Sequence, residues 1–443
     1  KRGHERGVCQ KVCVPPHLRT RDGSFGRPDK LIAQNRINKR YPENMPTLRK
    51  LRDDLAAAAV SMGADLTTVG PVTQDQETVP GYTLRRELPG ARTAMTFAMR
   101  FPETLRHSWP LQHAANQLMH HCCLRIARMV EDAGYHAASY NWAHALGETA
   151  GLGKRNEGGF RELSTPEFGD LVITGAVTTD ALLDPTPPAK SIDRVAPASR
   201  PSVKKMRARL EALAESNLVS LFGVAPASRF DRTVNDLKAN LNEKELGEGV
   251  YDTNTNYHGV FTPEIRRTDA RIRHPKDHLA AAKSVLVLGM HIPEEITENS
   301  ALPKSQQIGT YAFWQYQTRN ELCFAAFKLA KQLLAWGHQV TVTEDLLGIG
   351  SLVDSHRGLL PDARCNSIEA VAAGLGRLGA HGSLLTPEYG SRQRQIALIT
   401  DAEIPADALQ LGADPCAACD KCRTRCPMQA IEKGTFEVHV GDA

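Results

Sequence analysis

Cys416, Cys419, Cys422 and Cys426 follow one another as C-x2-C-x2-C-x3-C, and Pro427 closes the run. Soft thiolates suit iron, and gaps of two residues let one tight loop wrap several of them around a cubane iron–sulfur cluster. A zinc knuckle would take its second Cys or His pair after a longer gap. Disulfides suit the spacing less still. The run therefore implies electron transfer.

A second constellation lies upstream, where Gly374-Leu375-Gly376-Arg377-Leu378-Gly379 spells G-x-G-x-x-G. A nicotinamide fingerprint of that form needs a strand just before it and a helix opening after it. Residues 367–373 instead read as helix and 383–385 as extended chain, so the glycines are expected to let backbone approach another large planar ligand. Asp354-Ser355-His356-Arg357-Gly358 falls one residue short of D-x-H-x-x-G, by which some corrinoid proteins offer a His to cobalt; a lone loop His is more often a surface residue. His120, His121, Cys122 and Cys123 are adjacent on one expected helix, face different directions, and are not expected to share a metal. Glu388, Tyr389, Arg392 and Arg394 follow a Thr-Pro turn and read equally as site groups or as the solvated start of a strand. Tyr311, Trp314 and Tyr316 cluster before a helix expected from about Asn320, as core or as catalytic groups.

The elements that must position these residues occur twice. Residues 91–102 and 282–293 agree in character position for position, each an expected buried strand ending at a Pro. Helical segments ending at Gly134 and Gly337 follow. The halves meet again at 150–154 and 373–377, at 164–169 and 385–390, and at 178–181 and 399–402. Residues 66–71 and 218–226 are expected to open the two units. A repeat of about two hundred residues means duplicated domains rather than a solenoid. Residues 183–200, with Pro185, Pro187, Pro188 and Pro197, suit a stiff linker, and insertions around 225–275 and 345–368 mark the second copy.

At 443 residues the chain exceeds one comfortable core and can bury a large cofactor. A net charge of +4 compels neither a nucleic-acid nor a membrane partner, although residues 1–47 carry eleven Lys or Arg against four Asp or Glu and read as a solvated arm. No stretch approaches eighteen consecutive apolar residues, so no spanning helix is expected, and no signal-peptide core follows the start. Ten cysteines, four of them in a cluster motif, point to a reducing compartment, the cytoplasm. Because the sequence starts at Lys1 and ends seventeen residues after Cys426, a processed or partial protein is expected.

Residues 369–392, then Ile399-Thr400-Asp401 and the cysteine run, resemble the corrinoid-dependent reductive dehalogenases of the soluble, catabolic type, and more distantly epoxyqueuosine reductase. The resemblance covers about residues 215–435. It implies an α/β fold, an α+β layered, nitroreductase-like corrinoid-binding domain present twice, with a small ferredoxin-like module. The expected division is an arm at 1–47, a degenerate copy at 48–182, a linker at 183–205, the corrinoid-binding catalytic domain at 206–410 and the iron–sulfur module at 411–443.

By the same resemblance, a base-off cobalamin lies against Gly374, Leu375, Gly376, Gly379, His381, Gly382, Ser383, Leu384, Thr386 and Glu388. Two 4Fe-4S clusters feed it electrons, Cys416, Cys419 and Cys422 holding one while Cys426 reaches toward the other. A second cysteine run is absent, so either a carboxyl-terminal segment or a remote thiol, Cys365 or Cys323, completes the set. Tyr316 is the expected proton donor, with Thr318 competing for its slot; the cationic neighbour falls to Arg377 or His381, because Ala380 stands where relatives carry the cation. The implied substrate is a small, aromatic organohalide, with a ferredoxin or flavoprotein reductase as donor, no nucleic-acid or membrane partner, and room for a homodimer. The alternatives are an epoxyqueuosine-type reductase acting on tRNA and a non-catalytic electron carrier.

Overall fold

The computed structural model describes residues 47–79, 82–106, 108–141, 143–156, 163–185, 200–243, 248–252, 263–267, 271–298, 304–350, 352–355, 358–361, 365–426, 429, 431 and 436–441. The expected arm, most of the expected linker, His356 and Pro427 lie outside the described residues.

The strands form where apolar runs are long enough to be buried on both faces. β1 (Leu66–Pro71), β2 (Thr93–Arg100), β3 (Ala137–Asn141) and β6 (Val172–Thr179) make one sheet in the order β1-β2-β6-β3. Between β3 and β6 lies a small hairpin, β4 (Lys154–Arg155) with β5 (Leu163–Ser164). A second sheet has the order β7-β10-β16-β11, from β7 (Leu221–Pro226), β10 (Ser284–His291), β11 (Val340–Thr343) and β16 (Gln393–Thr400). Even the register agrees: Thr93↔Thr179 to Arg100↔Val172 in the first sheet corresponds to Ser284↔Thr400 to His291↔Gln393 in the second.

Helices α1 (Leu48–Ser61) and α2 (Trp109–Asp132) cover one face of the first sheet, as α4 (Val203–Glu215) and α6 (Lys304–Ala335) cover one face of the second. A shorter helix, α3 (His144–Thr149), lies on the far face of the first sheet, and α5 (Asp231–Asn240) on that of the second. Both long helices stop at a left-handed glycine, Gly134 at φ 91° and Gly337 at φ 80°, with the next N–H reaching back to Val130 O and Leu333 O. α6 begins at Lys304, not near Asn320, so Tyr311, Trp314 and Tyr316 lie within the helix instead of ahead of it. Polar Thr318 interrupts the apolar pattern there, but its hydroxyl bonds the Trp314 carbonyl one turn back and the helix runs through.

The two helical layers share one core. Phe101 and Phe327 stack across it with centroids 5.6 Å apart. Lys331 pairs with Asp65, and Thr104 Oγ1 donates to Val340 O at 2.6 Å, so the halves are bonded as well as packed. The two expected insertions meet in a third sheet, β9-β8-β12-β13, from β8 (Glu248–Asp252), β9 (Pro263–Arg267), β12 (Leu352–Ser355) and β13 (Gly358–Pro361). Among the described residues, no helix is long and apolar enough to cross a membrane.

Candidate functional site

The glycine motif joins α7 (Ser367–Ala372) to a hairpin of β14 (Arg377–Leu378) and β15 (Leu384–Leu385). Helix before and hairpin after is the context that opposes a dinucleotide fingerprint. Gly374 turns the chain at φ 75°. A Cβ there would strike Ala408 O, one on Gly376 would strike Leu385 O, and one on Gly223 below would lie 2.5 Å from Ala373 O. At Gly374 and Gly376 the nearest neighbour in the Cβ direction is thus the protein's own backbone.

The other expected site residues divide by their bonds. His381 Nδ1 accepts the Ser383 N–H at 3.1 Å, and burial lowers the ring's pKa, so it is neutral at pH 7 with its proton on Nε2. Gly379 N–H donates to Ser383 O, and Gly382 N–H to Gly379 O, which closes the turn. Leu384 packs into the core and Thr386 Oγ1 accepts the Tyr389 N–H at 3.1 Å, so both serve the turn, while Glu388 is exposed. Arg377 does not face inward alone: its guanidinium holds the Gly412 carbonyl. Tyr316 lies in α6, and its side chain is outside the described residues.

Residues 403–414 run as irregular chain, pinned to the second half. Arg207 grips Asp407 at 2.8 and 3.0 Å, and Asp407 Oδ2 accepts the Val224 N–H at 2.9 Å. This delivers the cysteine run onto the glycine loop, where Ala380 N–H donates to Cys416 Sγ at 3.4 Å. Cys419 is exposed, as is Cys422 on α8 (Lys421–Arg425), and Cys426 is partly buried. The chain then returns, with His439 Nδ1 2.9 Å from Asp236 Oδ2 on α5. Four thiols on one excursion, with an amide N–H already aimed at a sulfur, fit a thiolate-bound iron–sulfur cluster. Among the described residues, no three His, Cys, Asp or Glu groups converge as a ready-made ligand set.

Cys323 is buried in the common core, where burial raises its thiol pKa far above the usual range, and Cys365 is buried beside Gly350. Cys122 and Cys123 are buried on α2, while His120 and His121 are exposed.

Sequence reading missed three features. Glu369 on α7 is fully buried; its Oε1 accepts the Leu347 N–H at 3.0 Å, and its Oε2 has no partner among the described residues. Burial, then the Asp345 charge, pushes this carboxyl up to about 8. The repeated Thr-Asp-Ala was visible without its purpose: His136 Nδ1 lies 2.7 Å from Asp180, and His338 Nδ1 3.0 Å from Asp401, each pair tying the last strand of a half to the strand beside it. Third, Gln393 and Gln395 are buried at the start of β16, where the signal was polar residues inside an apolar strand.

No protein-family profile matches the chain. It is 26% identical to epoxyqueuosine reductase of Bacillus anthracis over 219 residues, 49% of this chain and 50% of that protein. It is 42% identical to tetrachloroethene reductive dehalogenase of Desulfitobacterium hafniense over 64 residues, 14% of this chain and 12% of that protein. The chain thus spans about half the length of the first relative and far less of the second. Among solved structures, epoxyqueuosine reductase with a tRNA stem loop overlaps 52% of this chain and 54% of its own at 19% identity, with a TM-score of 0.34. The expected resemblance is therefore met at the coarser level: the chain is similar to two kinds of reductase, and the dehalogenase match is the shorter one.

Proposed function

We propose that this chain is a corrinoid- and iron–sulfur-dependent oxidoreductase, a reductive dehalogenase that removes halide from a small, aromatic, phenolic organohalide. The observation that supports it best is the Ala380 N–H to Cys416 Sγ bond, which seats the cluster loop on the glycine hairpin of the second half. In this reading the two sheets are copies of one nitroreductase-like domain, the first degenerate, and the cysteine excursion is a ferredoxin-like module. A corrinoid, when bound, supplies a cobalt centre that passes electrons to a carbon–halogen bond.

The overall change takes the organohalide, two electrons and one proton to the reduced arene and a halide ion. A cytoplasmic ferredoxin or flavoprotein reductase supplies the electrons and the Tyr316 hydroxyl the proton. Cys416, Cys419 and Cys422 hold one cluster and Cys426 reaches toward a second. The turn at Gly379, Gly382 and Ser383 and the neutral His381 ring present the macrocycle with uncharged hydrogen-bonding groups. Arg377 acts as a positioning residue through Gly412. Anaerobically purified protein is expected to contain iron and cobalt, to show both chromophores, and to dehalogenate a halophenol with a chemical reductant. Iron without cobalt, even after reconstitution with cobalamin, removes the proposal.

The longer match favours a second reading, an epoxyqueuosine-type reductase acting on tRNA. The expectation of no nucleic-acid partner has no support in these relatives. Affinity for tRNA that falls with added salt selects this reading over the first.

A further inference from the structure

The two sheets share a register but differ in chemistry at one corner. In the first half, Leu66, Ala98, Leu152, Leu163 and Val172 form a small buried cluster closed by Phe168, where hairpin meets sheet. The shared register and turn put Gly289 in the place of Ala98, Gln393 in that of Val172, and Tyr389 in that of Phe168. Beside them the pair Arg100 over Phe168, 5.7 Å, is replaced by His291 stacked on Tyr389 at 4.4 Å. The first half closes this corner with apolar side chains, so the fold itself does not require the polar ones.

A glutamine buried where a valine suffices is costly unless both ends of its amide are satisfied. Gln393 Nε2 donates to Leu384 O at 2.9 Å, which fixes the amide's orientation. Its Oε1 is buried, in a residue 4% exposed, with no hydrogen-bond partner among the described residues. The atom is an acceptor, so its missing partner is a donor. Beside it the Arg392 guanidinium faces Glu294 at 3.6 Å while its buried Nε has no partner among the described residues, and burial lowers the His291 pKa.

We infer that this corner is a ligand contact site in which Gln393 Oε1 accepts an N–H from a neutral carboxamide on the rim of a macrocycle. This rests on the corrinoid reading of the second half. A primary carboxamide supplies the donor without bringing charge into a buried site.

The experiment is equilibrium dialysis of cobalamin against the full chain, with thermal midpoints, for wild type, Gln393→Val and Gln393→Met. Val is the first half's residue, and Met keeps the length without an oxygen acceptor. Both variants are expected to bind roughly tenfold more weakly with the midpoint unchanged or raised. Unchanged affinity in either folded variant, with a lowered midpoint, overturns the inference and leaves Gln393 as a structural group satisfied by water. Wild type that binds no cobalamin overturns the corrinoid reading itself, and so is a different failure.

Discussion

Glu369 carries a carboxyl into the buried interior, and the consequence is a measurable dependence of stability on pH. Its folded pKa is raised by burial to about 8, whereas an unfolded Glu titrates near 4.3. Between those values the unfolded chain has released a proton that the folded chain keeps, so this group's contribution to stability falls as pH rises through the window and levels off above it. The slope is at most about 1.4 kcal/mol per pH unit. Glu369→Gln is expected to flatten the dependence, losing ground to wild type at pH 5 and gaining it at pH 8 in paired thermal melts. The cysteines allow an independent comparison, because a raised thiol pKa opposes ligation while exposure permits it. Cys416→Ser should lower iron per chain, whereas Cys323→Ala should leave iron unchanged; a matching loss in both would make the buried Cys323 a ligand.

The hairpin of β14 and β15 shows what glycine does for an element. Gly376 has backbone against it, so Gly376→Ala must push β14 off β15 and is expected to cost about 1–3 kcal/mol, read by denaturant melts. Gly390 has open space but φ 59°, so Gly390→Ala should cost only the left-handed strain, about 1 kcal/mol, and Gly390→Asn less. The turn was legible from its repetition, since Thr165 and Thr386 bridge Gly169 and Gly390 and each Thr hydroxyl accepts an N–H three residues on. The pairing of β8 with β12 was not, because a hundred residues separate them and neither strand carries a periodic signal. Nor was the start of α6 at Lys304, because polar residues from Lys304 to Gln307 and again from Gln315 to Asn320 break the hydrophobic pattern.

At the scale of the molecule, the cores of the two halves are one. Phe327 lies at their junction and is fully buried, so Phe327→Ala is expected to cost about 3–5 kcal/mol. The loss should appear in a single transition, with calorimetric and van't Hoff enthalpies in agreement, rather than in the second half alone. Residues 48–182 expressed by themselves should show no cooperative melt, because the face of α2 toward α6 would be left in water. Two separate transitions in the intact chain would show instead that the halves are independent domains.

Ligand types and spacing are local properties, and so the four thiols, the glycine punctuation, the strand runs and the twofold likeness of the halves could all be read along the chain. Only the folded molecule brought Cys416 onto Ala380, left Gln393 Oε1 without a donor among the described residues, and placed protein against Gly374 and Gly376. Those outcomes depend on which surfaces meet across sheets and loops far apart in the chain, and no pattern confined to neighbouring residues encodes the meeting.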